Sequence, residues 1–309
     1  MPLNSFLSLL HEVHDTYEGS LTPPPRLHTG HTGQSPTLLS SSRSGGSGET
    51  TGAVLWKVTP LFATYLSHPG NPFFSHGVLS SRSTVLELGC GVAGVLGLTL
   101  GSSGRVRGYF LSDQEYVLKL LRRNLEENTP PPAAPRKGRA RAEGSAMVRT
   151  LALDWEKDRI TREHPVLKEG VPFDAVIACD CIYNEALVEG FVEALEEACL
   201  ELSAASSPSS PGAARGREGG SALSKEAGGE GKTKPTLAII AQELRSPEVF
   251  ETWLVRFHKS FHTYRIPDSL LTPEINSASG YCIHVGILRD SGQIGMLGRG
   301  GDQKRPLCT

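Results

Sequence analysis

The sequence predicts an α/β domain with a mostly parallel sheet and helices on both faces. Three observations predict it. Short apolar runs alternate with amphipathic helical segments, as repeated β–α units do. The run Thr84–Leu88 ends in Gly89–Cys90–Gly91–Val92–Ala93–Gly94, a glycine-rich turn leading into an apolar helix. Acidic residues follow successive strands, where ligands bind in such sheets.

The strand candidates are Thr84–Leu88, Val106–Leu111, Met147–Leu153, Phe173–Ala178 and Leu237–Ala241. Each is a short apolar run bounded by turn or polar residues, the pattern of a buried parallel strand. Helices are expected between them. In Gln114–Asn128, the residues Val117, Leu118, Leu121 and Leu125 share one face. In Glu185–Leu202, Val188, Phe191, Val192, Leu195, Cys199 and Leu202 do the same. Pro247–Lys259 carries Val249, Phe250, Trp253, Leu254 and Phe257 as its stripe, with Ser246 as N-cap and Pro247 at the first helical position. Phe261–Ile266 and Tyr281–Leu288 alternate and are expected as edge strands paired like a hairpin.

Residues 18–52, 129–146 and 203–235 and the tail after Arg289 are rich in Ser, Gly, Pro and Ala. They bury too little apolar surface to offset their ordering entropy and are expected to be unstructured. This divides the chain into an N-terminal extension over 1–50, a domain over 51–290 with two inserts, and a tail over 291–309.

Net charge is −2, from 31 basic and 33 acidic residues, so no general pull towards nucleic acid or anionic membrane is expected. No apolar run is long enough to span a bilayer, and the first residues lack the features of a secretory signal. The six cysteines fit no zinc spacing and read as buried thiols in a reducing compartment. Cys179 and Cys181 alternate and would point to opposite faces of a strand.

The glycine spacing alone is shared by nicotinamide, flavin and S-adenosylmethionine (SAM) folds. Glu87 discriminates among them. A carboxylate two residues before the first glycine accepts from a ligand ammonium and repels a pyrophosphate, which favours SAM. Asp113 lies 24 residues after Gly89, where an acid can hold ribose hydroxyls, and its bland reading is a helix N-cap. Asp154–Trp155 follows the third strand, with adenine contact weighed against an Asx turn and a packed indole. Asp180 and Tyr183, three apart after the fourth strand, are candidates for holding and orienting an amine. Trp56 reads from sequence alone as a core or lid residue. The acids Glu185, Glu189, Glu193, Glu196, Glu197 and Glu201 share one helix without Lys or Arg. A solvated face is the expectation there, and a steering patch for a basic protein the alternative. The basic run Arg136–Lys137–Arg139–Arg141 reads as a solvated loop, with an RNA contact as the alternative.

Together, Val-Leu-Glu-Leu-Gly-Cys-Gly at 85–91, Asp113, Leu153–Asp154–Trp155–Glu156 and Asp180–Cys181–Ile182–Tyr183–Asn184–Glu185 resemble the seven-β-strand SAM-dependent methyltransferases. They are most similar to family 16, the protein-lysine methyltransferases with a D-x-x-Y motif. The lead-in Gly52–Ala53–Val54–Leu55–Trp56 also resembles that family. The resemblance implies a Rossmann-like class I fold, SAM as cofactor and a lysine of a ribosomal protein as acceptor. From the residues themselves no metal, no membrane and no direct nucleic-acid partner are expected. The cofactor set the resemblance implies is Trp56, Glu87, Gly89, Gly91, Asp113, Asp154, Trp155 and Cys179, with Asp180 and Tyr183 at the methyl-transfer site. A cytoplasmic enzyme is expected, with the nucleus as a second location. A nicotinamide oxidoreductase, a small-molecule or RNA methyltransferase and an inactive scaffold are the competing readings. No N/D-P-P-Y/F run follows the fourth strand, which disfavours nucleobase or glutamine amines.

Overall fold

A computed structural model describes residues 2–14, 55–129, 147–161, 163–164, 167, 172–203 and 234–289. The expected unstructured segments, the basic run at 136–141 and residues 52–54 of the lead-in fall almost wholly outside these.

Eight strands form one sheet: β1 (His11–Glu12), β2 (Thr84–Leu88), β3 (Gly108–Asp113), β4 (Met147–Ala152), β5 (Ala175–Cys179), β6 (Leu237–Glu243), β7 (Phe261–Arg265) and β8 (Tyr281–Leu288). Their order is β1-β7-β8-β6-β5-β2-β3-β4. The pairs from β4 through β3, β2 and β5 to β6 are parallel, whereas β8 runs antiparallel to both β6 and β7. This is the Rossmann-like class I methyltransferase arrangement. The chain leaves β2 towards β3 on one side and returns to β5 on the other, so a crevice opens at the carboxyl ends of β2, β3 and β5.

Strand alternation distributes the core. Val85, Tyr109, Leu111, Ile177 and Ile239 pack on one face of the sheet. Leu86, Leu88, Phe110, Val176 and Ile240 pack on the other. Helices α2 (Val58–Ser67), α4 (Val95–Ser102) and α5 (Glu115–Asn128) contribute to the first layer, and α6 (Val188–Glu201) and α7 (Pro247–Ser260) to the second. Cys179 belongs to the first layer and Cys181 to the second, as their alternation predicts. All five described cysteines are buried free thiols.

Several expectations are corrected. Tyr281–Leu288 is not an edge strand, because β8 is bonded on both sides, to β6 and β7. Its residues Tyr281 to Val285 are buried throughout, so the apparent alternation did not report exposure. Beyond β7 the edge is β1, where His11 and Glu12 pair with Arg265 and Tyr264. Just before it, α1 (Pro2–Leu7) drives Phe6, fully buried, against Phe73 of the short helix α3 (Pro72–Ser75) at 5.0 Å. Ser246 stands at the N-cap of α7 but makes no side-chain cap bond. Its hydroxyl donates to Glu248 instead. Glu185–Leu187 forms a 3₁₀ turn ahead of α6, capped by the Asn184 side chain, which accepts from the Ala186 N–H.

The acidic helix α6 is only partly a solvated face. Arg256 of α7 meets Glu189 at 2.8 Å and Glu196 at 2.7 Å, and Arg159 meets Glu197 at 3.2 Å. These pairs join α6 to its neighbours and pair Glu189, Glu196 and Glu197 with cations.

Close packing gives one stability prediction. Gly286 of β8 lies under the Phe257 ring, and an added Cβ would come within 2.4 Å of Cζ. Gly286→Ala is therefore expected to destabilise the fold by about 1–3 kcal/mol, the usual cost of overpacking. Chemical denaturation measures it, and a wild-type midpoint would contradict this packing.

Candidate active site

At the carboxyl ends of β2 to β5 lies a cleft of about 580 Å³. All ten residues singled out from the sequence line it: Trp56, Glu87, Gly89, Gly91, Asp113, Asp154, Trp155, Cys179, Asp180 and Tyr183. They come from five separate stretches of chain, and the parallel sheet brings them together.

The glycine turn forms one wall. Gly89, Gly91 and Gly94 have φ of 66°, 64° and 57°, which residues with a Cβ rarely adopt. Three long-range bonds hold the turn. The Cys90 N–H donates to the Ser112 carbonyl at 3.0 Å. The Gly91 N–H donates to Asp113 Oδ2 at 2.8 Å, and the buried Asn124 amide donates to the Val92 carbonyl at 2.8 Å. A Cβ on Gly89 would stand 2.8 Å from Cys181 Sγ and 2.9 Å from Trp155 Cζ2. Gly89→Ala should therefore cost about 2 kcal/mol from its φ and the clash combined. Thermal unfolding reads this loss, and an unaltered Tm would remove the close approach.

Glu87 is 1% exposed, and its Oε2 has no hydrogen-bond partner although the residue lines the cleft. Burial raises its pKa from 4.5 to about 8. The Tyr109 hydroxyl nearby opposes the rise without reaching hydrogen-bond geometry, and the Asp113 charge adds to it.

Asp113 is not the side-chain N-cap of α5, whose N-cap position is Gln114. Asp113 Oδ1 accepts from the Gln114 N–H at 2.8 Å, while Oδ2 holds Gly91. Burial raises its pKa and these two bonds pull it back. Asp154 does form the Asx turn, accepting from the Glu156 N–H at 3.1 Å, and it also meets Lys157 Nζ at 2.8 Å. The Trp155 ring packs against Phe191 at 5.0 Å and backs the glycine turn.

Asp180 is the sole described non-glycine residue with positive φ, at 62°. Its Oδ1 accepts from Arg245 Nη2 at 2.7 Å and from Gln242 Nε2 at 2.8 Å. Its Oδ2 is buried without a partner. Burial raises the Asp180 pKa, and the adjacent Arg245 lowers it. At the mouth, Trp56 is 38% and Tyr183 41% exposed. Gln242, Arg245 and Asn124 escaped the sequence reading, as did Tyr116, a half-exposed aromatic on the cleft. Only Tyr116 carried a signal, lying three residues after Asp113.

Among the described residues the lining contains five acids, Glu87, Asp113, Asp154, Glu156 and Asp180, and no Lys, Arg or His. Such a surface suits a cationic ligand and disfavours a phosphate-bearing one.

Strand order and cleft together define a nucleoside-binding protein of the class I methyltransferase type. A family model described as lysine methyltransferase matches residues 39–205, and the chain belongs to that family. It is 30% identical over 197 residues to ribosomal lysine N-methyltransferase 5 of Zygosaccharomyces rouxii, a match covering 52% of this chain and 58% of that protein. The protein of the same name from Saccharomyces cerevisiae is 29% identical over 222 residues, covering 53% of this chain and 60% of the relative. The matched region thus spans less than two thirds of the length of these curated relatives. Among solved structures, the methyltransferase domain of bacterial CtHen1 aligns over 67% of this chain and 91% of that one, at 16% identity and a TM-score of 0.36.

The family's cofactor is SAM, and two features of the cleft fit it. Glu87 presents an orphaned buried oxygen to the cleft, suited to an ammonium. Gly89 lines the cleft as bare backbone, with the Cys181 thiol and the Trp155 ring packed where a Cβ would stand.

Proposed function

We propose that this chain is a SAM-dependent protein-lysine N-methyltransferase acting on a ribosomal protein in the cytoplasm. The observation that carries this reading is the cleft lined, among the described residues, by five acids and no basic side chain, with Asp180 Oδ2 buried and unpartnered within it. Both SAM and lysine bring positive charge to such a site.

Glu87 Oε2 accepts from the α-ammonium of the cofactor. Gly89 and Gly91 admit its methionine part against bare backbone, and the Cys179 thiol lines that end. Asp113 keeps lone pairs for the ribose hydroxyls while its other lone pairs hold the turn. Asp154 and Trp155 border the adenine. Trp56 and Tyr183 flank the mouth, where the aliphatic stem of lysine enters. When bound, SAM supplies a methyl group on a positively charged sulfur.

A free lysine amine has a pKa of about 10.4 and is almost wholly protonated at cell pH. The site must therefore favour loss of one proton and aim the nitrogen lone pair. Asp180 Oδ2 accepts a hydrogen bond from the lysine nitrogen and so fixes its orientation. Tyr183 confines the approach.

Two features support the reading over its rivals. A pyrophosphate would meet five acids, which disfavours a nicotinamide oxidoreductase. The carboxylates likewise disfavour an RNA acceptor, whose phosphates they repel. The test is incubation with tritiated SAM and a ribosomal protein extract, followed by mass spectrometry of the labelled residue. A labelled lysine supports the proposal. Label on RNA or on a small molecule overturns the acceptor, and failure to bind SAM in calorimetry leaves a scaffold.

A further inference from the structure

Arg245 joins three parts of the site from outside the cleft wall. Nη2 donates to Asp180 Oδ1 at 2.7 Å, Nη1 meets Glu243 Oε2 at 3.2 Å, and the guanidinium carbon lies 4.8 Å from the Trp56 ring centre. One cation therefore touches the acid just beyond β5, the acid ending β6 and the indole that precedes α2. Gln242 supports the same turn from β6. Its Oε1 accepts from the Ile182 N–H at 3.0 Å, and its Nε2 donates to Asp180 Oδ1 and the Ile182 carbonyl at 2.8 and 3.1 Å.

The consequence for Asp180 is an asymmetric carboxylate. Oδ1 is saturated by a guanidinium and an amide, while Oδ2 is buried without a partner on a residue that lines the cleft. A carboxylate pinned at one oxygen cannot rotate the other away. The backbone at φ 62° costs about 1–2 kcal/mol for a residue with a Cβ. Such strain persists where surrounding contacts over-determine it, and here Arg245 and Gln242 do so.

We propose that Arg245 is a positioning residue for methyl transfer, which locks Asp180 so that Oδ2 meets the acceptor amine and holds Trp56 at the cleft mouth. This rests on the methyltransferase reading above. It assigns Arg245 no contact with cofactor or acceptor. A planar fork suits the task, because one guanidinium can bond two carboxylates and stack on an indole at once.

Arg245 also shapes the charge balance at Asp180. The groups facing Asp180 are Arg245 and Glu243 from the end of β6, Tyr281 from β8 and the neighbouring thiols Cys179 and Cys181. Arg245 is the one cation among them. Removing it leaves burial and Glu243 to favour the protonated acid, so the acidic limb of the rate profile must move to higher pH.

The test uses the full chain, tritiated SAM and a ribosomal protein extract that the wild type labels. Without wild-type labelling of lysine the parent reading fails, and the Arg245 comparison is not reached. With it, Arg245→Met is expected to lower kcat roughly 10- to 100-fold, the worth of a charge-assisted hydrogen bond. SAM affinity in calorimetry should stay within about threefold, and the acidic limb should move to higher pH. Arg245→Lys should return the limb towards its wild-type position yet recover only part of kcat, since an ammonium lacks the fork. A purely structural role would lower Tm and leave the limb in place for both variants, and that result overturns the proposal. An unchanged kcat in Arg245→Met does the same. If Arg245→Met does not fold, Arg245→Lys decides, with wild-type kcat as the contrary outcome.

Discussion

Asp180→Asn is expected to slow lysine methylation by about 10³-fold while SAM affinity changes by no more than a few-fold. Asn is the most conservative replacement because it, too, tolerates positive φ, which Asp180 adopts at 62°. Its carbonyl oxygen can take the place of Oδ1 and accept from Arg245 and Gln242, now at 2.7 and 2.8 Å. The amide NH₂ then replaces Oδ2. A donor would face the incoming ammonium where an acceptor stood, and the charge that favours its approach would be gone. Asp180→Ala removes the anchor as well and exposes the strained backbone to a residue that does not suit it. It is therefore expected to lose stability in addition to activity. Tritium transfer from labelled SAM measures the first effect and calorimetry with SAM the second. Turnover at the wild-type rate in Asp180→Asn would remove Asp180 from the acceptor site.

The central strands β2, β5 and β6 were legible because they are buried on both faces. Thr84–Leu88 and Tyr281–Leu288 match β2 and β8 residue for residue; the first reads as a short apolar run, whereas the alternation of the second hid a strand buried from Tyr281 to Gly286. β3 was displaced by two residues. It continues through the polar Ser112 and Asp113, whose side chains serve the glycine turn rather than solvent. The Ser112 hydroxyl donates to the Glu87 carbonyl at 2.6 Å. The first turn of chain was not legible either. Pro2–Leu7 and His11–Glu12 are too short to show a period, and their order comes from tertiary contacts such as Phe6 on Phe73.

The cleft residues were legible where each followed a strand, since strand ends mark the ligand face in this architecture. What sequence could not reveal were the partners that set their chemistry. Arg245 and Gln242 lie 65 and 62 residues from Asp180. Asn124 lies 32 residues from the Val92 carbonyl it holds. No local pattern encodes such pairs. The acids of α6 show the same limit from the other side: a one-signed helix looked solvated until Arg256 of α7 arrived to pair with two of them.

Glu87→Gln is expected to weaken SAM binding by about 2–5 kcal/mol, the cost of removing one member of a buried charge pair. The pH dependence makes this prediction specific. In the free protein burial holds the Glu87 pKa at about 8, so at neutral pH the carboxyl is mostly protonated. Accepting from an ammonium requires the carboxylate, so binding must expel that proton. Wild-type affinity should then fall about tenfold for each pH unit below 8, and calorimetry in buffers of differing ionisation enthalpy should detect about one proton released. Glu87→Gln should show neither slope nor release. Stability follows the same linkage with its own sign. The folded pKa lies above the unfolded value, so the folded protein holds the proton more tightly. The contribution of Glu87 to stability is full below about 4.5 and is lost as pH rises to about 8. Across that window Glu87→Gln, isosteric with the protonated acid, should flatten the decline of Tm with pH in the free protein. SAM should protect the wild type more strongly at pH 8 than at pH 6, because only the ionised acid meets the ammonium. Affinity independent of pH in the wild type would place the cofactor's amine elsewhere in the cleft and leave Glu87 as a neutral buried acid.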